Sequence, residues 1–167
     1  MKPTEFFPIV TEDGEVIGKA SRKECHSGSF ILHPVVHLHV FNSAGELYLQ
    51  KRNMNKDIQP GKWDTSVGGH VDFGEEVHEA LFREVREELG ITEFEPQFIT
   101  RYKFVSKQEA ELVHVYTTVY DGEISPDLGE ISEGKFWEID DITQQIGKEV
   151  FTPNFEQEFI SIIQKLV

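Results

Sequence analysis

Residues 69–91 read GHVDFGEEVHEALFREVREELGI, and this stretch decides the fold of the chain. A turn around Asp72 and Gly74 precedes a periodic segment and Gly90 supplies a helix stop, so we predict a helix over residues 75–89. At about 100° per residue, the apolar side chains of this helix fall on one stripe. That stripe consists of Val77, Ala80, Leu81 and Val85.

Three acidic residues of this helix lie on the apolar side, where the pattern predicts burial. Glu84 and Glu88 fall within or beside the stripe and Glu87 falls on its edge, so all three share one face. The other charged side chains of the segment are predicted to face solvent on the opposite side. They are Glu75, Glu79, Arg83 and Arg86.

Three carboxylates on such a face need a counter-charge. Like charges at this spacing repel, and taking each one out of water costs on the order of several kcal/mol. Either their pKa values rise or a cation neutralises them. Oxygen donors in this arrangement suit Mg²⁺ or Mn²⁺, which also take phosphate oxygens of a substrate. The alternative, a solvated acidic helix end, leaves the position of these carboxylates on the apolar side unexplained.

The spacing of these residues resembles the Nudix box, G-x5-E-x7-R-E-U-x-E-E-x-G-U, in which U is an aliphatic residue. Seven fixed residues at ordinary usage coincide by chance in about one protein in a million of this length. The chain matches every specified position and is therefore identified as a member of the Nudix superfamily. The matching residues are Gly69, Glu75, Arg83, Glu84, Val85, Glu87, Glu88, Gly90 and Ile91.

The resemblance implies a role for each box residue. Glu84, Glu87 and Glu88 would hold the metal, and one of them would orient or deprotonate the attacking water. The backbone carbonyl of Gly68 is implied as a further ligand. Glu111, at a predicted loop-to-strand junction, is either a further carboxylate ligand or base from outside the helix, or a solvent-exposed edge charge. Salt bridges and turns inside the box are implied for the supporting residues, Gly69, Glu75, Arg83 and Gly90.

The implied activity is Mg²⁺- or Mn²⁺-dependent hydrolysis of a diphosphate bond in a small molecule. Family members typically act on a nucleoside diphosphate that is linked to another group. The cation orients the diphosphate and lowers the pKa of a water that displaces one phosphate from the other in line. The box predicts this chemistry and does not predict the leaving group.

A closer resemblance, over about residues 9–142, is to the isopentenyl-diphosphate isomerases of the same superfamily. The segment WDTSVGGH at residues 63–70 is similar to WTNSVCGH in those enzymes. Arg52 and Lys56 match basic residues that hold the diphosphate there. Those isomerases also bind a divalent metal through three histidines and two glutamates. The matching residues here are His26, His33, His70, Glu109 and Glu111.

Two departures from the isomerases favour hydrolysis. Their catalytic cysteine falls at Gly68, which cannot protonate or deprotonate a carbon, and Cys25 lies at the wrong position to replace it. The isomerases also carry Arg and Tyr where this chain has Glu84 and Glu87. We therefore predict a hydrolase on an isomerase-like frame. The alternatives are an isopentenyl-diphosphate isomerase-like enzyme and a non-catalytic ligand-binding module, which would usually lose box carboxylates.

Composition limits the partners of the protein. The 167 residues carry a formal net charge of -14 at pH 7, so we expect no binding of a nucleic-acid polymer through a basic patch. The single cysteine fits a reducing compartment. No signal-peptide-like or membrane-spanning run is evident. We expect a cytoplasmic protein without membrane contacts, and a homodimer is among the expected forms because dimers are common in the superfamily.

The rest of the chain predicts an α+β fold with a mixed β-sheet sandwiched between helices. Strands are predicted at residues 30–41, 46–52, 65–71, 94–105, 112–120 and 135–139, and closing helices at 140–146 and 154–166. A loop is predicted at 53–62. Residues 1–30 are predicted to form a hairpin extension with its turn at Asp13 and Gly14. Residues 1–167 are expected to form a single domain.

Three further histidines, His37, His39 and His114, fall on predicted strands. Alternation along a strand places His37 and His39 on one face, which would also suit a metal site. We interpret all three as hydrogen-bonded packing residues.

Overall fold

A long buried strand organises the molecule. In the computed structural model, which describes residues 4–56 and 59–167, β3 (Leu32–Phe41) is buried along almost its whole length. It pairs in parallel with β8 (Ala110–Val119) on one side. On its other side it pairs antiparallel with β6 (Val67–His70) near its start and with β4 (Leu47–Arg52) at its end. Burial on both faces explains the nearly continuous apolar character of this strand.

The other strands extend this sheet on both sides. The strand order is β5 (Trp63–Asp64), β4, β3, β8 and β7 (Gln97–Val105), while β9 (Ile131–Trp137) also pairs with β4. A separate two-stranded sheet contains β1 (Phe6–Val10) and β2 (Val16–Ser21). The short helix α1 (Arg22–Cys25) follows, with the Ser21 hydroxyl accepting from the backbone N–H of Glu24 at 3.1 Å.

The box helix, α2 (Val77–Leu89), covers one face of the main sheet. Its buried residues pack with side chains of β3 and β6, and the predicted stripe forms the contact. The helix begins two residues later than predicted because Glu76 is its N-cap, with the Glu76 N–H donating to the Glu79 carboxylate at 3.0 Å. It ends at Gly90, whose φ of 68° is the left-handed conformation expected at this position.

The closing helices cover the opposite face. These are α3 (Ile139–Gln145) and α4 (Pro153–Ser161), followed by a 3₁₀ turn at Ile163–Lys165. They bury a second apolar cluster against β4 and β5. With helices on both faces, the predicted α+β fold class is confirmed. The cluster contains Leu47, Leu49, Trp63, Ile142, Phe151, Phe155, Phe159 and Ile163.

Several predicted boundaries were wrong for identifiable reasons. The strand predicted from residue 30 begins at Leu32, because Phe30 adopts a φ of 56°, which is not extended. The segment 65–71 forms only β6, and β5 precedes it as a separate strand. The strand predicted at 135–139 begins at Ile131 and ends at Trp137, because Glu138 is the N-cap of α3.

The remaining differences are at the ends of elements. Strand β7 begins at Gln97 rather than residue 94, and α4 ends at Ser161 rather than continuing to 166. Residues 57 and 58 of the predicted loop and residues 1–3 of the predicted extension lie outside the described residues. Within the described ranges, none of the helices has the length and apolar character needed to span a bilayer.

Candidate active site

One cleft collects most of the residues singled out in the sequence. It encloses about 930 Å³ between α2, the ends of β3 and β6, and the start of α4. Box carboxylates, basic residues and one of the three histidines share its walls. Its lining includes Arg22, His37, Gln50, Arg52, Lys56, Asp64, Gly68, Gly69, His70, Glu84, Glu87, Glu88, Glu111 and Asn154.

The box carboxylates form a compact cluster in this cleft. Glu84 and Glu88 lie close enough for each carboxyl group to shift the pKa of the other. Burial raises the pKa of Glu84, and burial together with the neighbouring Glu84 raises that of Glu88 well above its usual value. Glu87 is more exposed, with 55% of its side chain accessible. The cluster therefore combines two enclosed carboxylates with one that reaches solvent.

This cluster has the properties of a divalent-cation site. Glu88 Oε2 is buried and has no hydrogen-bond partner. An enclosed carboxylate oxygen without a partner is costly, and a cation bound between Glu84 and Glu88 would remove both that cost and the repulsion between them. Hard oxygen donors at this spacing fit Mg²⁺ or Mn²⁺.

The helical wheel predicted that Arg83 faces solvent. In the structure its side chain is instead turned inward, where it pairs with the surrounding carboxylates. Its guanidinium donates to Glu75 at 2.8 and 3.0 Å, to Glu84 at 2.9 Å, and to the backbone carbonyl of His70 at 3.0 Å. Hydrogen bonds to Glu75 raise the pKa of Arg83. Glu75 also turns inward, with 17% of its side chain exposed. Arg83 thus ties the helix to the end of β6 and orients Glu84.

Two adjacent glycines let the backbone approach these side chains. A Cβ on Gly69 would lie 2.2 Å from Cδ of Glu84, so no other residue fits there while Glu84 holds its position. A Cβ on Gly68 would make only ordinary contacts, at 3.5 Å from Cδ2 of His37. Gly68 lines the cleft beside the carboxylates. Gly69 is therefore a steric requirement of the box, whereas Gly68 is not.

The isomerase-like histidines and glutamates also come together, at the end of the cleft next to the hairpin. The rings of His26, His33 and His70 have centroids 5.2–5.7 Å apart. His26 Nε2 lies 3.3 Å from His70 Nε2 and 3.1 Å from a carboxylate oxygen of Glu109. Phe7 of β1, itself buried, stacks on His70 with ring centroids 4.5 Å apart. Four separate segments of the chain contribute to this cluster.

This second cluster also fits a cation. Ligand atoms of His26, His33 and His70 lie within 4.8 Å of one another, as do those of His33, Glu109 and Glu111. His33 Nδ1 donates to the carbonyl of Ile31 at 2.9 Å, which leaves Nε2 as a lone-pair donor; Nε2 is buried without a partner.

The pKa values of His70 and Glu111 favour an uncharged ring and a protonated acid in this cluster. Burial, followed by nearby cationic groups, lowers the pKa of His70 to about 3. Burial and the adjacent Glu109 raise the pKa of Glu111 to about 8. A neutral imidazole is the form that binds a metal, and a bound cation would stabilise the carboxylate form of Glu111.

Arg52 and Lys56 lie on the cleft wall, each beside an acidic residue. Arg52 Nη1 is 3.7 Å from Asp64, and Lys56 Nζ donates to Glu130 at 3.1 Å. Both cationic groups are about two-thirds buried, with 30% and 36% of their side chains exposed. They line the same cleft as the box carboxylates, so a diphosphate bound there could contact both sets of residues.

Several residues at the cleft did not stand out in the sequence. Glu158 of α4 is 1% exposed, and its carboxylate accepts hydrogen bonds from His37, His39 and Tyr102. All three partners are far from Glu158 in the sequence. Gln50 contacts Glu88 from β4, and Asp64 lines the wall. The amphipathic pattern of α4 marks residue 158 as inward-facing, but no local spacing reveals its partners. The packing interpretation of His37 and His39 agrees with these hydrogen bonds.

Comparison with known proteins gives consistent results. Residues 31–158 match the NUDIX domain family model. The chain is 31% identical over 168 residues to isopentenyl-diphosphate Delta-isomerase 1 of Photorhabdus laumondii, covering 96% of both chains. It is 33% identical over 138 residues to a Nudix hydrolase of Pseudomonas aeruginosa, covering 79% of this chain and 78% of that one. The crystal structure of DR0079 from Deinococcus radiodurans superposes with a TM-score of 0.78 at 25% identity, over 92% of this chain and 96% of that one.

Proposed function

This chain belongs to the Nudix superfamily, in its isopentenyl-diphosphate isomerase-like branch, and on that basis we propose that it is a divalent-cation-dependent diphosphate hydrolase. The proposed cofactor is Mg²⁺ or Mn²⁺. The proposed substrate is a small molecule that contains a diphosphate bond, with a nucleoside diphosphate linked to another group as the first class to test.

The observation that carries this proposal is the enclosed Glu84–Glu88 pair. Two neighbouring carboxylates, one with a buried oxygen that lacks a partner, lie in the wall of an open cleft. A cation bound to them would polarise a phosphoryl oxygen and lower the pKa of an attacking water. Purely structural carboxylates would gain nothing from being paired in this way.

The other residues of the cleft fit defined tasks in this reaction. Arg83 holds Glu84 in place by a 2.9 Å hydrogen bond without facing the cleft itself. Glu87, the more exposed carboxylate, is placed to accept a proton from water or to orient it. Arg52 and Lys56 supply positive charge for the diphosphate. Catalysis would then rest on positioning and electrostatic stabilisation.

A second candidate function is isomerisation of an allylic diphosphate, as in the enzymes named above. It is favoured by the assembled cluster of three histidines and two glutamates. Against it, position 68 is a glycine and offers no side chain for proton transfer. Cys25 is no substitute, because it is buried and its pKa is raised to about 11 by burial and by Glu109. Hydrolysis is therefore the better-supported candidate.

The deciding experiment is a mass-spectrometric screen of diphosphates with the purified protein and Mg²⁺. The panel contains nucleotide sugars, dinucleotides, nucleoside di- and triphosphates and isopentenyl diphosphate, with Glu87→Gln as the inactive control. We expect cleavage of at least one hydrolase substrate and its loss in the variant. Isomerised isopentenyl diphosphate without hydrolysis would instead support the second candidate. No turnover of any compound, with binding retained, would support a non-catalytic module.

A further inference from the structure

The floor of the cleft contains a histidine that neither cation cluster uses. His37 of β3 lies opposite Gly68 of β6 in the antiparallel ladder, and its ring lines the cleft. The residue is 8% exposed. His37 Nδ1 is 2.9 Å from a carboxylate oxygen of Glu158. The ring is thus held from behind by a residue of α4.

Glu158 is itself fixed, which makes His37 rigid. Besides His37, its carboxylate accepts from His39 at 2.5 Å and from the Tyr102 hydroxyl at 2.5 Å. Burial opposes ionisation of Glu158, but the surrounding donors outweigh it, and its pKa lies well below the usual value. An ionised carboxylate with three donors fixes the tilt of the His37 ring before any ligand arrives.

The second nitrogen of His37 is directed at the cleft. Nε2 has no hydrogen-bond partner among the described residues, and it is not among the polar atoms that the protein encloses. Because Glu158 holds Nδ1, Nε2 is the ring atom left to meet a ligand in the cleft. A nearly buried, pre-oriented ring nitrogen therefore borders a cleft that would receive an anionic ligand, and an anion bound there favours the hydrogen-bearing form of Nε2.

Gly68 is what leaves this nitrogen uncovered. A Cβ at Gly68 would lie 3.8 Å from His37 Nε2 and 3.5 Å from Cδ2, so a longer side chain there would stand over the edge of the ring. The φ of Gly68 is not positive, and its surroundings accommodate a methyl group. Neither the backbone conformation nor the room for a side chain requires glycine at position 68. The consequence of this glycine that the structure shows is that the edge of the His37 ring stays open to the cleft.

We propose that His37 is a substrate-contacting residue whose Nε2 donates a hydrogen bond to a diphosphate oxygen, through the opening that Gly68 provides. The proposal rests on the proposed diphosphate function of the cleft. The other cations of the cleft wall, Arg22, Arg52 and Lys56, each lie beside a carboxylate that competes for them. His37 also lies near carboxylates, Glu111 and Asp64, but Glu158 fixes its ring at one nitrogen and leaves the other for the ligand.

The test measures binding of methylenediphosphonate, a diphosphate that cannot be hydrolysed, by calorimetry in the presence of Mg²⁺. We expect His37→Phe to raise the Kd by about 10- to 100-fold, as for a lost hydrogen bond to a charged group. His37→Gln places an amide N–H near the position of Nε2 and is expected to recover most of the affinity. Unfolding temperatures are measured in parallel, because His37→Phe also removes a donor from Glu158.

Gly68→Ala is the second variant, and it leaves the contact between His37 and Glu158 intact. By covering Nε2, it is expected to weaken binding to a similar degree without lowering the unfolding temperature. The double variant with His37→Phe should bind no worse than His37→Phe alone, because both changes remove the same contact. Gly18→Ala is the matched control, since its Cβ would meet Ile9 at 3.5 Å, away from the cleft.

Each outcome separates this inference from the proposed hydrolysis. Wild-type affinity in His37→Phe, equal losses in His37→Gln and His37→Phe, or additive losses with Gly68→Ala would overturn the contact. If those results accompany normal cleavage in the diphosphate screen, hydrolysis stands without His37. The expected pattern of Kd values with no cleavage of any compound would keep the contact and reject hydrolysis. Absence of binding by the wild type would reject the contact.

Discussion

The two clusters of the cleft are built in opposite ways. The carboxylate cluster comes from one helix, whose residues 84, 87 and 88 share a face because of their spacing. The histidine cluster draws on the end of α1, the start of β3, the end of β6 and the start of β8. Each contains a buried ligand atom without a hydrogen-bond partner, Oε2 of Glu88 in the first and Nε2 of His33 in the second. A cluster from one helix is visible in a short pattern, whereas one from four segments exists only after folding.

The difference also concerns what supports each cluster. Two residues of the same motif support the carboxylates. Arg83 hydrogen bonds to Glu84, and Gly69 leaves room for the Glu84 side chain because it has none of its own. The histidines are supported by the hairpin, where Phe7 stacks on His70. We infer that hydrolysis depends on the first cluster and that the second contributes cation binding, and the following predictions test this division.

The largest effect is expected from the carboxylate cluster. Glu88→Gln or Glu87→Gln should lower kcat by about 1000-fold, because a charged ligand for the catalytic cation is lost. The unfolding temperature should change little or rise for Glu88→Gln, since the buried repulsion with Glu84 disappears. Steady-state kinetics with saturating Mg²⁺ measure the loss. Glu79→Gln is the control, because glutamine preserves its capping role; comparable activity in all variants would reject the metal assignment.

Gly69→Ala should come next. Its Cβ would lie 2.2 Å from Glu84 Cδ, so the carboxylate must move, and displacement of a ligand by about 1 Å costs about 100-fold in rate. Overpacking should also lower the free energy of unfolding by about 1–3 kcal/mol. Kinetics and chemical denaturation measure the two effects. Normal turnover in this variant would mean that Glu84 is mobile and that its hydrogen bond with Arg83 does not matter for catalysis.

A smaller loss is expected for Arg83→Ala at saturating Mg²⁺. Arg83 acts through Glu84, so its removal should cost about 10-fold in kcat, less than Glu84→Gln does. Below saturation the loss in Arg83→Ala should be larger, and raising Mg²⁺ to saturation should recover that additional part in Arg83→Ala but not in Glu84→Gln. The reverse order of the two variants would show that Arg83 contacts the substrate.

The histidine cluster should affect metal content more than turnover. His33→Leu removes a buried ring whose Nε2 lacks a partner, so the protein should bind one divalent ion fewer with little change in kcat. Metal analysis after dialysis against Mn²⁺ or Zn²⁺ gives the stoichiometry. His78→Gln, at an exposed position of α2, is the control. A loss of turnover as large as that of Glu88→Gln would mean that the two clusters act as one centre.

The smallest effect should appear only as a pH dependence of stability in the metal-free protein. The pKa of Glu111 rises from 4.5 to about 8 on folding, so between these values the folded state binds more protons than the unfolded state. Its contribution is therefore present below pH 4.5 and lost as the pH rises towards 8. Wild type should lose stability over this window relative to Glu111→Gln, as measured by denaturant titration. The divergence should shrink when Mn²⁺ is added; parallel pH profiles would contradict the shift.

The helical pattern placed Glu84 and Glu88 on the buried side of the helix, as the structure does, but misplaced Arg83. A helical wheel places each residue by its angle alone, and at that angle Arg83 faces away from the apolar stripe. In the structure, Glu75 from the preceding turn and the carbonyl of His70 from β6 surround the guanidinium. These groups lie outside the helix, so their effect on Arg83 is absent from the periodicity.

Sequence alone determined what is local: the box helix, its stop at Gly90, the shared face of three carboxylates and the family that this spacing identifies. Only the tertiary structure decided which distant residues meet. The contact of Glu158 with His37 and His39 spans 121 and 119 residues. Helical spacing is a property of a short segment, whereas such contacts depend on how α4 packs across the sheet. The physical reason is that the fixed turn per residue of a helix sets which of its side chains share a face. Clusters built from several segments depend instead on how the whole core packs.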